Sequence, residues 1–292
     1  MPPAARMRLL GAAVLPLLAL AVGCAPAQEA SPAPATSGPA SAADCAPGAL
    51  PTLTEGTFTV ATDDPAYDPW FSEGDPSNGE GYESAVAYAV AERLGYAQAD
   101  VAWVTATFTN AIAPGAKTFD VDVNQVSITD ERRRTVDFSS GYYDVAQAVV
   151  TLDSSPVAGV TSIAGLAEAK LGAQVGTTSY ETITDVVKPT MQPSVFDSND
   201  LAVQALENGQ IDALVVDLPT GLYLAAAVLD GGKVLGQFPV TGTPEQFGFV
   251  LDKGSALTPC VTQAVDALRA DGTLAALQQQ WLTSSAGAPE LT

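Results

Sequence analysis

Between residues 58 and 282 the sequence alternates short apolar segments with amphipathic helical segments, and this alternation most restricts how the chain can fold. Residues 58–61 are predicted to form a strand, and residues 81–96 place apolar side chains at the four-residue spacing of a helix. Further strands are predicted at about 101–104, 120–126, 145–151, 171–174 and 211–216, and further helices at about 163–169, 179–187, 199–207 and 219–229. The alternation favours an α/β fold with mostly parallel sheets, and the length is sufficient for two of them.

Two further parts of this region, a loop near its start and the helices at its end, can be predicted from turn-forming and helix-capping residues. Gly, Asp, Pro, Ser and Asn are frequent from 64 to 80, so no regular element is expected there. Thr258 and Pro259 begin a helix, which Asp271 and Gly272 end, and a second short helix follows. The folded region is therefore predicted to close with two helices.

The N-terminus has the layout of a bacterial export signal, with Arg6 and Arg8 before an apolar run. Residues 20–24 resemble a lipobox, in which a peptidase cuts before a cysteine that carries diacylglycerol. We therefore predict a signal peptide at 1–23 and lipidation of Cys24, which would anchor the mature protein to the membrane. An ordinary secretory signal and a transmembrane anchor are the alternatives, although the run is shorter than a spanning helix needs.

The segments at the two ends of the folded region differ from it in composition. Most residues from 25 to 43 are Ala, Pro, Ser, Thr or Gly, and none has a bulky apolar side chain. Such a segment cannot bury enough apolar surface to offset its ordering entropy. We expect 24–52, beginning with the lipidated cysteine, to form a disordered tether and 283–292 to form a C-terminal tail.

The charge balance argues against nucleic acid as a partner. The chain has 12 Lys and Arg against 33 Asp and Glu, a formal net charge of −21 at pH 7. Phosphate binding needs clustered Lys and Arg, which this composition does not favour. The acidic surface either attracts cationic ligands or only keeps the protein soluble.

The absence of His from the sequence excludes His-based catalytic triads and His-ligated metals. The sequence also has no zinc-ligand spacing and no Gly-rich loop of the phosphate-cradling type. We therefore predict no metal, no cofactor and no enzymatic activity. Carboxylate acid–base chemistry by Asp63, Asp64 and Asp217 is the alternative.

Two cysteines, Cys45 and Cys260, lie at opposite ends of the folded region. An exported protein occupies a compartment that permits disulfides, so a bridge between them would join the start of the folded region to the helical end of that region. Two buried free thiols are the alternative.

Residues 120–143 are the most informative segment. The predicted strand runs into the polar Gln125, Ser127 and Thr129 and then into three arginines that begin at Arg132. The planar guanidinium of Arg matches a carboxylate in a bidentate way that Lys cannot. The alternative is that the three arginines only offset neighbouring acids on a solvated surface.

These motifs resemble bacterial extracellular solute-binding proteins of family 3, the polar amino acid receptors of ABC importers. The resemblance rests first on the run 127–132, followed by 136–139 and the pair Tyr142 and Tyr143. Further matches occur in the family's order: Thr62 and Asp63 with Tyr67, Pro69 and Trp70, then 91–95, 175–178, 208–213 with Asp217, and 271–274 with Trp281.

The resemblance implies how the two ends of an amino acid would be held. Arg132 would bind the α-carboxylate, helped by backbone N–H groups at Thr177 and Thr178 and by the Thr178 hydroxyl. Asp217 would bind the α-ammonium together with the Ser127 hydroxyl. Helix capping is the structural alternative for Thr178 and Asp217.

The resemblance also implies residues around the rest of the ligand. Gln125 would place acceptor groups near the ammonium, Tyr67 and Trp70 would form aromatic walls, and Asp63 would face a basic side chain. Packing in the core or at the rim is the alternative for the two aromatic residues. Asp122 departs from the family's apolar strand, and we expect it either to face solvent or to meet a cation.

The fold implied by the resemblance is the type II periplasmic-binding-protein-like fold, with two α/β sandwich lobes and a two-strand hinge. Lobe 1 would comprise 53–150 and 246–282, and lobe 2 would comprise 151–245. The lobes would close on an amino acid, with polar or cationic ones favoured. The implied protein is an extracytoplasmic, lipid-anchored and monomeric component of an ABC importer that delivers its ligand to a permease.

Two other functions are compatible with the same motifs. A sensory or adaptor lipoprotein would bind the same ligand but signal to a different partner. A periplasmic dehydratase-like enzyme would use the same fold, with carboxylates in the cleft as its acid and base.

Overall fold

The computed structural model describes residues 45, 48–282 and 287–292, which form two α/β lobes. The sheet of lobe 1 has the strand order β2-β1-β3-β12-β4. Its strands and helices are β1 (Phe58–Thr62), α1 (Tyr82–Arg93), β2 (Val101–Thr105), α2 (Phe108–Ile112), β3 (Val121–Asp122), β4 (Val136–Phe138), β12 (Val250–Asp252), α6 (Thr258–Ala270) and α7 (Thr273–Trp281). Single 3-10 turns lie at Ser72–Gly74, Pro76–Asn78, Gln98–Asp100 and Arg132–Arg134.

The larger core of lobe 1 lies where α1, α6 and α7 pack together against the sheet. Val86 and Val90 of α1 are fully buried, as their four-residue spacing predicts. Gly95, with a φ of 89°, follows this helix and adopts the left-handed conformation that ends many helices. Each fully buried Val or Leu side chain contributes about 1.5–3 kcal/mol, so these helices hold the lobe together.

The sheet of lobe 2 has the strand order β10-β6-β9-β7-β8. Its strands and helices are β6 (Gln147–Leu152), β7 (Leu171–Gln174), α3 (Thr178–Thr182), β8 (Ser194–Phe196), α4 (Asn199–Glu207), β9 (Ala213–Asp217), α5 (Leu218–Tyr223) and β10 (Gly232–Gln237). A 3-10 turn lies at Ala164–Leu166, and π-helical turns at Ile183–Val187 and Leu224–Val228 continue α3 and α5. Two separate apolar clusters include residues of this sheet.

Two short antiparallel strands carry the chain between the lobes, and they pair with each other as a hinge. They are β5 (Tyr143–Val145) and β11 (Glu245–Phe247). The first crossing occurs earlier than expected, because β6 already belongs to the lobe 2 sheet and its residues 147–150 were assigned to lobe 1. Polar and apolar residues alternate too briefly here for the sequence alone to separate β5 from β6.

Both sheets are mixed, whereas the sequence indicated mostly parallel ones. In lobe 1, β1 pairs parallel with β2 and β3, but the returning β12 pairs antiparallel with β3 and β4. In lobe 2, β6 pairs antiparallel with β9 and β10. The strands next to the hinge crossings account for the antiparallel pairs, and periodicity alone does not reveal strand direction.

The last described residues pack on lobe 2 rather than extending as a free tail. Backbone hydrogen bonds join Leu291 N to Gln237 O and Gln237 N to Pro289 O, both at 2.9 Å. Leu291 is 1% exposed and belongs to an apolar cluster of lobe 2. A Cβ at Gly236 would lie 2.6 Å from Pro289 O, so glycine permits this close approach. The expected tail at 283–292 therefore ends as an ordered segment of lobe 2.

The predicted disulfide between Cys45 and Cys260 is present, and it ties the start of the described chain to α6. The signal peptide 1–23, Cys24 and residues 25–44, 46 and 47 of the expected tether lie outside the described residues. The described end of that tether is not disordered as expected, because Cys45 forms the disulfide and Leu50 is buried in the core of lobe 1. Within the described ranges, no helix is both long and apolar enough to cross a membrane.

Candidate ligand-binding site

A small cavity of about 50 Å³ lies between the lobes, next to the hinge. Most of its wall is polar, and both lobes contribute to it. The lining residues are Asp63, Asp64, Pro65, Ala66, Tyr67, Phe71, Phe108, Asn124, Gln125, Ser127, Arg132, Gln174, Thr177, Thr178, Ser179, Ser198, Asn199 and Asp217. Eight of the nine predicted ligand-binding residues are among them, and Trp70 is the exception. The cavity is too small to admit an amino acid unless the lobes separate first.

Arg132 is 7% exposed and places its guanidinium in the cavity wall. Nη1 donates to Ser127 O at 2.6 Å, and Nη2 donates to Gly176 O of lobe 2 at 2.9 Å. The guanidinium carbon lies 5.2 Å from the centre of the Phe108 ring, within cation–π range. Among the described residues, Arg132 forms no ion pair. A buried guanidinium without a carboxylate partner favours an anionic ligand group at this wall.

Burial lowers the pKa of Arg132, and the carboxylates of Glu181, Glu245 and Asp217 oppose that shift. A guanidinium stays charged at physiological pH, because its ordinary pKa lies far above that range. The positive charge is therefore available to a ligand.

Asp217 lies across the same cavity, at the end of β9, and accepts a hydrogen bond of 2.7 Å from Gln147 Nε2. Burial and, to a smaller extent, the nearby Glu245 carboxylate together raise the pKa of Asp217 to about 8. A positively charged ligand group would reverse this shift, because it favours the ionised carboxylate. Asp217 is therefore suited to an ammonium group.

Glu245 of the hinge strand β11 connects the two walls, although it is not itself in the cavity lining. Its Oε1 accepts the hydroxyl protons of Ser127 in lobe 1 and of Thr178 in lobe 2, the latter at 2.6 Å. Its Oε2 accepts from Gln147 Nε2 at 3.3 Å. This carboxylate thus fixes the orientation of two hydroxyls that line the cavity.

Two predicted residues combine a place in the cavity wall with helix capping. Asp63 Oδ2 accepts from Phe108 N at 3.1 Å, at the start of α2. Thr177 is the N-cap of α3: its hydroxyl accepts from Tyr180 N at 3.3 Å and donates to Gln174 O at 2.7 Å. The Thr177 hydroxyl is therefore occupied by backbone groups.

Gln125 is held in a left-handed backbone conformation, with a φ of 48°, by a buried acid of α1. Its backbone N–H donates to Glu83 Oε1 at 2.8 Å, and its side-chain amide donates to Glu83 Oε2. The hydroxyl of Tyr142 also donates to Glu83. Burial raises the pKa of Glu83 to about 7, and these hydrogen bonds limit the shift. The amide of Gln125 is thus committed to the protein, while its oxygen remains an acceptor.

Tyr67 and Trp70, the two predicted aromatic walls, have different places. Tyr67 lines the cavity, and burial together with the neighbouring Asp200 raises its pKa. Trp70 does not line it: the side chain is fully buried, and its ring lies 5.5 Å from Tyr143 and 5.6 Å from Phe247 of the hinge strands. Trp70 Nε1 donates to Thr220 Oγ1 of lobe 2 at 2.9 Å. Core packing, the structural alternative, describes Trp70.

Asp122, the last residue of β3, and Asn124, two residues further along the chain, are buried polar residues with groups that have no partner among the described residues. Asp122 is fully buried, and neither of its carboxyl oxygens has a hydrogen-bond partner among the described residues. It therefore does not face solvent. Burial raises its pKa well above the ordinary value, with Glu83 and Asp63 adding to the shift. Asn124 lines the cavity, and its Nδ2 likewise has no partner among the described residues.

The described residues contain no group of three or more Cys, Asp or Glu arranged to hold a metal ion. A larger open groove of about 580 Å³ lies on lobe 1 beside Tyr88, Tyr96 and Leu277. The cleft remains the better candidate, because it brings Arg132 and Asp217 together.

Comparison with known proteins agrees with this geometry. Residues 58–284 match the family model of bacterial extracellular solute-binding proteins, family 3. The chain belongs to this family. The family's description places its members outside the cytoplasm, and the two lobes described above have the type II fold that the sequence motifs implied.

Curated relatives in the family are amino acid-binding proteins. The L-cystine-binding protein TcyJ of Escherichia coli (strain K12) is 29% identical over 229 residues, which cover 77% of this chain and 82% of the relative. The ABC transporter glutamine-binding protein GlnH of Bacillus subtilis (strain 168) is 27% identical over 220 residues, covering 73% and 77%. This chain is similar to binding components of ABC transporters.

A solved structure with similar architecture is the ancestral amino acid-binding protein AncCDT-1, a precursor of cyclohexadienyl dehydratase. It has a TM-score of 0.63 and 29% identity, and the match covers 77% of this chain and 95% of that chain. The two lobes described here thus have an architecture similar to that of this solved amino acid-binding protein.

Sequence reasoning missed several residues of the site, of which Glu245 is the most informative. Glu245 follows Thr243 and Pro244 outside any motif that we used, and only the pairing of β5 with β11 brings it to the cleft. Asn124 could have been predicted from the sequence as a site residue, because the corresponding strand in this family usually consists of apolar or small residues. Phe108 could not have been predicted, since an aromatic residue at the start of a helix most often packs in the core.

Proposed function

We propose that this protein is the extracytoplasmic substrate-binding component of an ABC importer, and that it binds a free amino acid between its lobes. The observation that carries the proposal is that Arg132 and Asp217 line the same cavity. Arg132 binds the α-carboxylate, and Asp217 with the Ser127 hydroxyl binds the α-ammonium. Contacts from the amino acid to both lobes then stabilise the closed form further.

The acids around the cavity favour a polar or cationic side chain on that amino acid. Asp63 and Asp64 line the cavity near Tyr67, and Asp122 lies buried close to Asp63, whereas Arg132 is the single cation of the lining. A ligand with net positive charge would offset this excess of acids. Gln125 and Thr177 complete the wall through their acceptor oxygens and backbone groups.

Lipidation of Cys24 would hold the protein at the outer face of the membrane, where a permease can receive the ligand. The sequence from 20 to 24 supports this anchor, and the Ala- and Pro-rich tether would give the folded lobes reach. The protein acts as a monomer, because each chain contains a complete cleft.

The binding role is favoured over catalysis and over pure signalling. Asp217, the one cleft carboxylate with a strongly raised pKa, already has a binding role opposite Arg132. Co-purification of a permease with the lipidated protein would support transport over sensing. The purified protein should not turn over prephenate-like acids.

A thermal-shift screen of the twenty amino acids tests the proposal. We expect one or more polar or cationic amino acids to raise the unfolding temperature, because a ligand that binds only the native state stabilises it. Addition of the corresponding α-keto acids is the control, since these lack the ammonium group. Failure of every amino acid to shift the midpoint would contradict the proposal.

A further inference from the structure

Glu245 receives hydrogen bonds from both sides of the cleft. The hydroxyl of Ser127, which is 2% exposed, and the hydroxyl of Thr178 both donate to the same oxygen, Oε1. The two hydroxyl oxygens lie 3.4 Å apart and belong to different lobes. Because Glu245 lies on the hinge strand β11, it can hold both hydroxyls from behind the cavity wall.

Each hydroxyl has one proton to donate, and a carboxylate only accepts. Once both protons point to Glu245, the Ser127 and Thr178 oxygens present only lone pairs to the cavity. The neighbouring Gln147 amide is also committed: its Nε2 donates to Asp217 at 2.7 Å and to Thr178 at 3.3 Å, and its Oε1 accepts from Ser179 at 2.6 Å. This part of the wall is therefore composed of acceptors.

We propose that Glu245 is the positioning residue of an ammonium subsite. It turns the Ser127 and Thr178 hydroxyl protons away from the cavity, so that both oxygens and Asp217 accept hydrogen bonds from the ligand's α-ammonium. The inference rests on the proposed function and revises one expectation from the sequence, because the Thr178 hydroxyl then serves the ammonium rather than the carboxylate. A ligand carboxylate would meet only lone pairs here and is directed to Arg132.

The charges around Asp217 agree with this arrangement. Asp217 faces Glu245 on β11, Glu83 on α1 and Tyr143 on β5, with Arg132 as the neighbouring cation. The Glu245 carboxylate contributes to the raised pKa of Asp217, which is about 8. A raised pKa favours the protonated form of the unliganded Asp217 near neutral pH, whereas an ammonium beside it favours the carboxylate, so we expect ligand binding to release a proton to solvent.

Calorimetric titration of Glu245→Gln, Glu245→Asp and the wild type tests the inference. The probes are L-arginine and L-glutamine, each compared with its analogue that lacks the α-amino group. Glu245→Gln should weaken binding of the tighter amino acid by about tenfold, because its Nε2 is a donor and must face either the two hydroxyls or the Gln147 amide that donates to Oε2 in the wild type. Glu245→Asp, which retains a carboxylate, should recover part of that loss. Glu181→Gln removes a charge that also acts on Arg132 and should change affinity less than about threefold.

The number of protons released on binding separates positioning from a general effect on folding. Titrations at pH 7 in buffers of different ionisation enthalpy should show proton release by the wild type. Glu245→Gln should release fewer protons, because the pKa of Asp217 falls when the neighbouring charge is removed. Equal or tighter binding by Glu245→Gln, or unchanged proton release, would overturn the inference and leave the proposed function standing. Absence of binding by the wild type to every amino acid would overturn both.

Discussion

At the scale of a residue, the buried carboxyl of Asp122 destabilises the folded state. It lies in β3 between Val121 and Val123, fully buried, without a hydrogen-bond partner among the described residues. Removing a carboxyl from water without a compensating hydrogen bond is unfavourable, and burial accordingly raises its pKa. At pH values between the ordinary pKa of Asp and the raised pKa of Asp122, this carboxyl is protonated in the native protein and ionised in the unfolded chain.

We expect Asp122→Val to raise the free energy of unfolding by about 1–3 kcal/mol, because Val fills a similar volume without a polar group. The gain should grow with pH above about 4, the ordinary pKa of Asp. The native state holds the proton there and the unfolded state does not, so wild-type stability falls as pH rises. Urea denaturation at pH 5 and pH 8 measures both effects.

Asp122→Asn is the matched control for that prediction, since it keeps the shape and polarity but cannot ionise. It should remove this residue's part of the pH dependence and give a smaller gain than Asp122→Val. A loss of stability in Asp122→Val at both pH values would instead mean that the carboxyl has a stabilising partner.

Residue identity predicted the site to different extents. The sequence placed Arg132 at the cavity because a motif with fixed spacing surrounds it, and Asp217 because it ends a strand that the same family pattern locates. Trp70 was placed wrongly, since an aromatic side chain near a motif can equally fill a core. Glu245 could not be assigned at all, because its contacts depend on the pairing of two hinge strands that are about 100 residues apart in sequence.

At the scale of elements, a hydrogen bond beside the hinge joins the loop before α1 in lobe 1 to α5 in lobe 2. It connects Trp70 Nε1 and Thr220 Oγ1, and both side chains are buried. Thr220→Val keeps the shape of the side chain but leaves the indole N–H without this acceptor, at a cost of about 1–3 kcal/mol. We expect a lower free energy of unfolding and an affinity for the amino acid about fivefold weaker, measured by denaturation and calorimetry. Thr220→Ser retains the hydroxyl and should resemble the wild type, whereas equal behaviour of Val and Ser would contradict this account.

The C-terminal segment, residues 287–292, acts as an added strand-like element of lobe 2. Leu291→Ala removes a side chain that is 1% exposed and should lower the free energy of unfolding by about 2–4 kcal/mol. Glu290→Ala, on the exposed face of the same segment, should change it by less than about 0.5 kcal/mol. Similar unfolding midpoints for both variants in guanidinium would show that the segment does not contribute to the core.

Helices were easier to predict from the sequence than strands or their pairing. The four-residue spacing of apolar side chains located α1, α4 and α6 closely, because each buries one face. The strand expected at 120–126 is ordered as β3 over two residues only, since Asn124 and Gln125 turn towards the cleft. The loop 64–80 contains two 3-10 turns, which local turn chemistry does not distinguish from irregular structure.

At the scale of the whole molecule, two lobes enclose a polar cavity next to their hinge. The order of the sequence motifs was sufficient to predict the family and the two α/β lobes. Motifs from distant parts of the chain can form one site only if the fold brings them together. The crossing points and strand directions required the structure, since they depend on contacts between segments far apart in sequence. The contacts across the cleft, from Arg132 to Gly176 and from Trp70 to Thr220, show the lobes in a closed arrangement.

The most direct test of the central claim is calorimetric titration of an amino acid into the wild type and Arg132→Ala. The amino acid is the one that gives the largest thermal shift, and Arg133→Ala, which removes an exposed arginine of the same turn, is the control. The account predicts one amino acid bound per wild-type chain, near wild-type affinity for Arg133→Ala, and at least about thirtyfold weaker binding for Arg132→Ala. Arg132→Ala that binds as tightly as the wild type would contradict it.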